Sequence, residues 1–124
     1  MEKIDIIYWN VHSLEYKLSE PDVVNFLCQY DVICLCETWF SDHTDIMQTC
    51  LPGYQSKMFN RRKVTLQGRN SGGLLVLWKL KISNDITFLD YSSEHVKFKI
   101  GERYLPLHMQ QRQIRHSYYI WTIL

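Results

Sequence analysis

Residues 31–39 read Asp31-Val32-Ile33-Cys34-Leu35-Cys36-Glu37-Thr38-Trp39. Five apolar residues in a row, β-branched at their start, are the pattern of a strand covered on both faces. The run stops at a carboxylate. A Glu beside a core strand is costly to bury without a partner. At the carboxyl end of a central strand the usual partner is solvent, a cation or a ligand in the crevice there. What Glu37 faces is therefore the question on which the chain turns.

Working outward, residues 3–11 carry Ile4, Ile6, Ile7, Tyr8 and Trp9 and read as a strand ending at Asn10. His12-Ser13 breaks the run, and residues 14–18 suit a short helical turn. Ser19-Glu20-Pro21-Asp22 predicts a helix start, with Ser19 as the cap and Pro21 in the first turn. Val23, Phe26, Leu27 and Tyr30 then share one helical face, and the helix is expected to end near Gln29-Tyr30. The first third is thus β-α-β. A right-handed crossover places its two strands close together and parallel, so Asn10 and Glu37 come to the same edge of the sheet.

Residues 38–50 predict a loop with a short helical piece. Leu51-Pro52-Gly53-Tyr54 is a turn, and residues 54–59 suit a strand. Residues 60–71 are polar and basic (Arg61, Arg62, Lys63, Arg69) and read as an exposed loop. Gly72-Gly73 leads into Leu74-Leu75-Val76-Leu77-Trp78, a second strand buried on both faces. Residues 86–91 and 95–100 alternate, with Val96, Phe98 and Ile100 on one side and Lys97 and Lys99 on the other. They predict an antiparallel hairpin turning around Ser92-Ser93. Residues 102–107 suit one more strand, broken by Pro106. Residues 108–116 are polar and basic without a clean period. Residues 117–124 are aromatic and aliphatic and carry no cap or turn signal, so 108–124 stands apart as a divergent tail.

The 124 residues make one domain the prior, with enough apolar material for a core. A net charge of +1 gives no electrostatic argument for nucleic acid or a membrane. Cys28, Cys34, Cys36 and Cys50 form no CxxC pair, and zinc would need a second ligand pair that the sequence does not supply. They read as small buried hydrophobes in a reducing compartment. No signal peptide or membrane-spanning run is evident, so the expected location is intracellular, nuclear or cytoplasmic.

Three stretches together resemble the endonuclease/exonuclease/phosphatase superfamily, and within it the endonuclease domain that opens LINE-type (non-LTR) retrotransposon polyproteins. They are residues 8–14 (YWNVHSL), residues 30–39 (YDVICLCETW) and residues 69–77 (RNSGGLLVL). Their order and rough spacing agree with that family, as does Leu51-Pro52-Gly53-Tyr54 between the second and third. The match covers about residues 3–107. The resemblance implies a two-sheet α/β sandwich that hydrolyses DNA phosphodiesters with Mg²⁺ or Mn²⁺. It assigns metal binding to Glu37 and organisation of the site to Asn10. Mg²⁺ commonly takes only one or two protein carboxylates, with water and phosphate completing its shell.

Against the family pattern, a later Tyr, a Gly-Asp-Xaa-Asn, a further Asp and a terminal Ser-Asp-His are expected. No Asp-Xaa-Asn occurs in these 124 residues. Ser41-Asp42-His43 spells the last triplet just after Glu37, and Ser41 or Asp42 capping a short helix explains it better. His108 and His116 have no acidic neighbour in sequence, and Tyr104, Tyr118 and Tyr119 are open candidates for the Tyr. The expected sandwich is therefore incomplete at its C-terminal side, with an exposed sheet edge prone to self-association. The expected chain is inactive by itself.

Each candidate has a plainer reading. Glu37 could pair with a nearby Lys or Arg, and Asn10 could be a turn residue bonded to its own backbone. Arg61, Arg62, Lys63 and Arg69 could meet DNA phosphates or simply be solvated. Trp39 and Trp78 suit packing better than base stacking. Gly72-Gly73 suits a turn into a strand, since no helix N-terminus follows to make a phosphate cradle.

Overall fold

The computed structural model describes residues 3–40, 46–59, 72–92, 95–108 and 118–123. Strands β1 (Ile4–Asn10) and β2 (Val32–Cys36) pair in parallel, with Asn10 opposite Cys36. The crossover between them holds one helix, α1 (Pro21–Leu27). β3 (Tyr54–Phe59) and β4 (Leu74–Lys79) extend the same sheet antiparallel to β2. The second sheet is β5 (Ile86–Tyr91), β6 (His95–Ile100) and β7 (Arg103–His108), a meander. β8 (Tyr118–Ile123) returns to the first sheet and pairs antiparallel with β1, giving the order β3-β4-β2-β1-β8. The fold is a two-sheet α/β sandwich.

The alternation of β2 explains its unbroken apolar run. Val32, Cys34 and Cys36 face inward with Ile6, Tyr8, Val76 and Trp78, against Val96, Phe98 and Ile100 of the second sheet. Ile33 and Leu35 face the other way with Ile7, Leu75 and Leu77. They are covered by Leu14, Leu18, Leu27, Phe40 and Leu51 from the crossover and loops. A strand in the middle layer of three has no solvent face, so it has no polar position.

Five local expectations are corrected. Glu20, not Ser19, is the N-cap of α1, and it makes no side-chain cap hydrogen bond. The Ser19 hydroxyl is used instead on the Tyr16 carbonyl, 2.6 Å away, beside the 3-10 turn at Lys17–Ser19. α1 stops at Leu27, where Tyr30 N–H bonds the Leu27 carbonyl and turns the chain into β2. Pro106 does not break β7, because β7 is an edge strand, where the N–H that proline lacks can fall on the side with no partner strand. Cys28 and Cys50 are exposed rather than buried. The helical piece expected in residues 38–50 is the 3-10 turn Ile46–Thr49. Residues 118–123, read as part of a tail without element signals, form a six-residue edge strand.

The end of the first sheet remote from Glu37 is tied by Asp31. Its Oδ2 accepts the Asp5 N–H at 2.9 Å, and its backbone bonds Asp5 of β1 and Lys79 of β4. Lys79 and Lys81 bring their ammonium groups to 3.5 Å from Oδ1. One buried carboxylate thus fastens three strands, and the half-buried Lys79 and exposed Lys81 offset its desolvation. No helix among the described residues is long and apolar enough to cross a membrane.

Candidate functional site

Beyond the last residues of β1 and β2 the chain stays paired. Val11 N–H bonds the Cys36 carbonyl at 3.0 Å, Ser13 N–H bonds that of Glu37 at 2.8 Å, and Leu14 N–H that of Thr38 at 3.0 Å. On the other side Trp39 N–H reaches the Gly72 carbonyl at 2.9 Å. Three loops are therefore locked around Glu37. The locking bends the backbone into the left-handed region at His12 (φ 47°), Ser13 (φ 81°), Glu37 (φ 56°) and Trp39 (φ 61°). Non-glycine residues rarely adopt it, and each costs about 1–3 kcal/mol that the surrounding contacts must outweigh. Gly73, at φ 93°, is required by space as well. A Cβ there would stand 2.6 Å from the Thr38 Oγ1.

Glu37 is buried, with 9% of its surface open. Its Oε2 accepts the Trp39 indole Nε1–H at 2.7 Å and the Gly72 N–H at 3.3 Å. Both are neutral donors, and no Lys or Arg among the described residues pairs with Glu37. The plain ion-pair reading is thus replaced by one in which backbone and indole hold the carboxylate. Trp39 also stacks edge-on against His12, with ring centroids 4.3 Å apart. Asn10 is buried, and its Oδ1 accepts the His12 N–H at 3.2 Å, a turn contact within its own loop. Asn10 therefore shapes the loop that packs on Trp39, which in turn holds Glu37. Trp78 packs in the inner core at the far end of the strand, its Nε1–H reaching Gln55 and Ser83.

Both described donors go to Oε2 and neither to Oε1, and Asn10 ends the neighbouring strand at the same edge of the sheet. The donors present are a carboxylate and an amide oxygen, which suit a hard cation such as Mg²⁺ or Mn²⁺ and not zinc. No group of three His, Cys, Asp or Glu gathers among the described residues, so such an ion would keep several waters. The Thr38 Oγ1 is buried beside Gly73 with no hydrogen-bond partner among the described residues, a further hard oxygen within the same locked loops. These donor types fit such an ion, with Glu37 the carboxylate that would hold it.

The inner face beneath this edge is neutral. Burial and the nearby Cys36 push the Tyr8 phenol well up, burial pushes the Cys34 thiol up, and burial pushes Cys36 up to about 11. No competing anion therefore forms below Glu37 near neutral pH. Arg61, Arg62, Lys63, Arg69, Ser41, Asp42, His43 and His116 lie outside the described residues. Tyr104 lies near the start of β7 beside Lys99, toward the end of the sandwich remote from Glu37, with the Lys97 ammonium 5.4 Å from its ring. Sequence reasoning missed Trp39 and Gly72 as the holders of Glu37. The Glu-Thr-Trp spacing is the signal that could have found the indole, since a Trp N–H is a donor that needs an acceptor when covered.

The family model of the endonuclease/exonuclease/phosphatase family matches residues 7–115. The chain belongs to the endonuclease/exonuclease/phosphatase family. Among solved structures it is similar to the 3′ phosphatase NExo from Neisseria bound to product DNA hairpin, at 18% identity and a TM-score of 0.57, covering 83% of this chain and 40% of that one. It is similar to an AP endonuclease from Leishmania major at 18% identity and a TM-score of 0.59, covering 77% of this chain and 35% of that one. An AP endonuclease from Archaeoglobus fulgidus gives 20% identity and a TM-score of 0.53, over 79% of this chain and 38% of that one. At these identities the likeness shows the fold. The chain spans 35–40% of the length of these three structures. No match is found among proteins with curated functions.

Proposed function

We propose that this chain is the N-terminal portion (residues 1–107, with 108–124 divergent) of a retrotransposon-type endonuclease domain, and that by itself it is a nucleic-acid-binding remnant without turnover. The observation that carries the reading is the joint position of Asn10 and Glu37 at one locked sheet edge, with Glu37 held by Trp39 and Gly72. Glu37 would hold Mg²⁺ or Mn²⁺, which when bound stabilises charge on phosphoryl oxygens and lowers the pKa of water. Asn10 keeps the His12 loop in place against Trp39. Hydrolysis also needs a base that reaches the attacking water, and the family's Asp-Xaa-Asn motif is not in these residues. DNA is the substrate class of the lineage, with Arg61, Arg62, Lys63 and Arg69 as candidate phosphate contacts. An intracellular setting, nuclear or cytoplasmic, goes with this reading.

The test is nicking of supercoiled plasmid by the folded chain with Mg²⁺, with EDTA, and with Glu37→Ala. The expected result is no nicking above the Glu37→Ala background, together with Mn²⁺ binding by electron paramagnetic resonance that Glu37→Ala abolishes. Nicking that depends on Mg²⁺ and on Glu37 would overturn the remnant reading. Mn²⁺ binding unchanged in Glu37→Ala would overturn the metal assignment. The open side of β8 is the candidate surface for self-association, as an edge strand without charge or proline. Light scattering that finds only monomer at high concentration would remove it.

A further inference from the structure

The row across the first sheet that holds Asn10 and Cys36 continues through Leu74 to Phe59. Phe59 anchors a second cluster at the same end of the sandwich. Its ring lies 5.1 Å from that of Tyr91 and 5.8 Å from that of Phe88. Lys57, two residues earlier on the same face of β3, places its ammonium 4.7 Å from the Tyr91 centroid, 5.0 Å from that of Phe88 and 5.8 Å from that of Phe59. Core packing accounts for Phe59, which is buried, and for Phe88, which lies between Trp78 and Phe98. It does not account for Tyr91, which keeps 53% of its surface open at the end of β5. Nor is the charge on Lys57 neutralised. No carboxylate among the described residues pairs with it, and the neighbouring Asp90 is engaged by His95 at 3.2 Å.

We propose that Tyr91 and Lys57 form a docking surface for a single-stranded segment of nucleic acid, with Tyr91 stacking one unpaired base and Lys57 meeting the adjacent phosphate. A half-open aromatic side chain beside a cation that no described carboxylate pairs offers both parts that such a segment needs, and neither part reads sequence. The charge is of the right sign and continues in the sequence after Phe59 as Asn60-Arg61-Arg62-Lys63. β3 and β2 stand two strand spacings apart, so the row ends at Phe59 and Cys36 are separated by about 10 Å. With Tyr91 packed on Phe59, the two clusters lie within the span of a few nucleotides at one end of the sandwich. The inference rests on the nucleic-acid reading above and adds to it a place and a preference for unpaired bases.

The experiment is fluorescence anisotropy with a labelled single-stranded DNA oligonucleotide and its blunt duplex, on the wild type, Tyr91→Ala, Tyr91→Trp, Lys57→Met and Lys57→Arg. Melting curves first establish that each variant is folded. The wild type is expected to prefer the single strand. Tyr91→Ala should bind about tenfold more weakly, as loss of one stacked base implies, while Tyr91→Trp and Lys57→Arg retain binding. Lys57→Met should weaken binding and lower its salt dependence by about one ion. Single-strand binding unchanged by Tyr91→Ala and Lys57→Met overturns this surface and leaves the nucleic-acid reading standing. No binding of either DNA by the folded wild type overturns both.

Discussion

The indole Nε1 of Trp39 donates a 2.7 Å hydrogen bond to the Oε2 of Glu37, two residues before it, and both residues lie in the left-handed region. A neighbour two positions away in an extended chain points parallel to it and does not turn back. The contact exists because the backbone is bent at both residues and pinned to Gly72 and Ser13. The carboxylate is thereby held by neutral donors, with no cationic side chain among the described residues paired to it.

Trp39→Phe keeps the ring and removes the donor. A hydrogen bond to a charged group contributes roughly 1.5–3 kcal/mol, so the unfolding free energy should fall by that amount, read as a lower urea midpoint at an unchanged slope. Mn²⁺ affinity should fall as well, because Glu37 loses the bond that fixes Oε2. A midpoint and Mn²⁺ affinity equal to the wild type would mean that the indole does not position Glu37.

Gly73→Ala tests the close approach of the Gly72-Gly73 turn to Thr38. The added methyl meets the Thr38 Oγ1 at 2.6 Å, and the φ of 93° disfavours any side chain. Gly53 shares the positive φ, at 83°, but has nothing within 4 Å of a Cβ. Gly53→Ala should therefore cost only the backbone term, about 1–3 kcal/mol, and Gly73→Ala distinctly more. Thr38→Ala should recover part of the Gly73→Ala loss by removing the obstructing atom. Equal losses at the two glycines in thermal melts would show that the contact with Thr38 carries no energy.

The layers of the fold were legible because apolar runs are unambiguous where they are longest. Residues 32–36 and 74–78 leave no polar position, so both could be placed in the middle layer, and the crossover then brought Asn10 and Glu37 to one edge. The partners of Glu37 were not legible. They depend on left-handed bends at Glu37 and Trp39, which non-glycine residues do not advertise. β8 was hidden for another reason. Its pairing joins Thr122 to Asp5 across 117 positions, and nothing local to residues 117–124 marks a strand start. Asp31 carried no signal of its role either, since its work as a clamp depends on lysines at and just beyond the end of β4.

That clamp predicts an asymmetry between its partners. Asp31→Ala removes the acceptor of the Asp5 N–H and leaves a part-buried donor unpaired, which costs up to roughly 1–3 kcal/mol. Asp31→Asn retains an acceptor and should lose less. Lys81→Ala should scarcely matter, because the Lys81 side chain is 56% exposed and a pair of that kind contributes about 0–1 kcal/mol. Urea titrations of the three variants rank them directly. A Lys81→Ala loss as large as that of Asp31→Ala would mean that the ion pair, not the buried hydrogen bond, fastens the strands.

The inner face of the sheet sets the alkaline limit of stability. Cys36 rises from an ordinary 9.0 to about 11, chiefly through burial, and Cys34 and Tyr8 are raised for the same reason. Each is an acid that the folded state keeps protonated longer than the unfolded state does. In that interval the native chain binds more protons, so stability is complete below about 9 and is lost as pH climbs through about 11. The urea midpoint should therefore fall steadily across this range, with a shallower slope in Cys36→Ala. The same burial predicts thiol reactivity. Near neutral pH an alkylating agent should modify the exposed Cys28 and Cys50 and spare the buried Cys34 and Cys36 until denaturant is added. Mass spectrometry that finds Cys34 or Cys36 labelled as fast as Cys28 in the folded chain would mean that the two sheets do not close over β2 in solution.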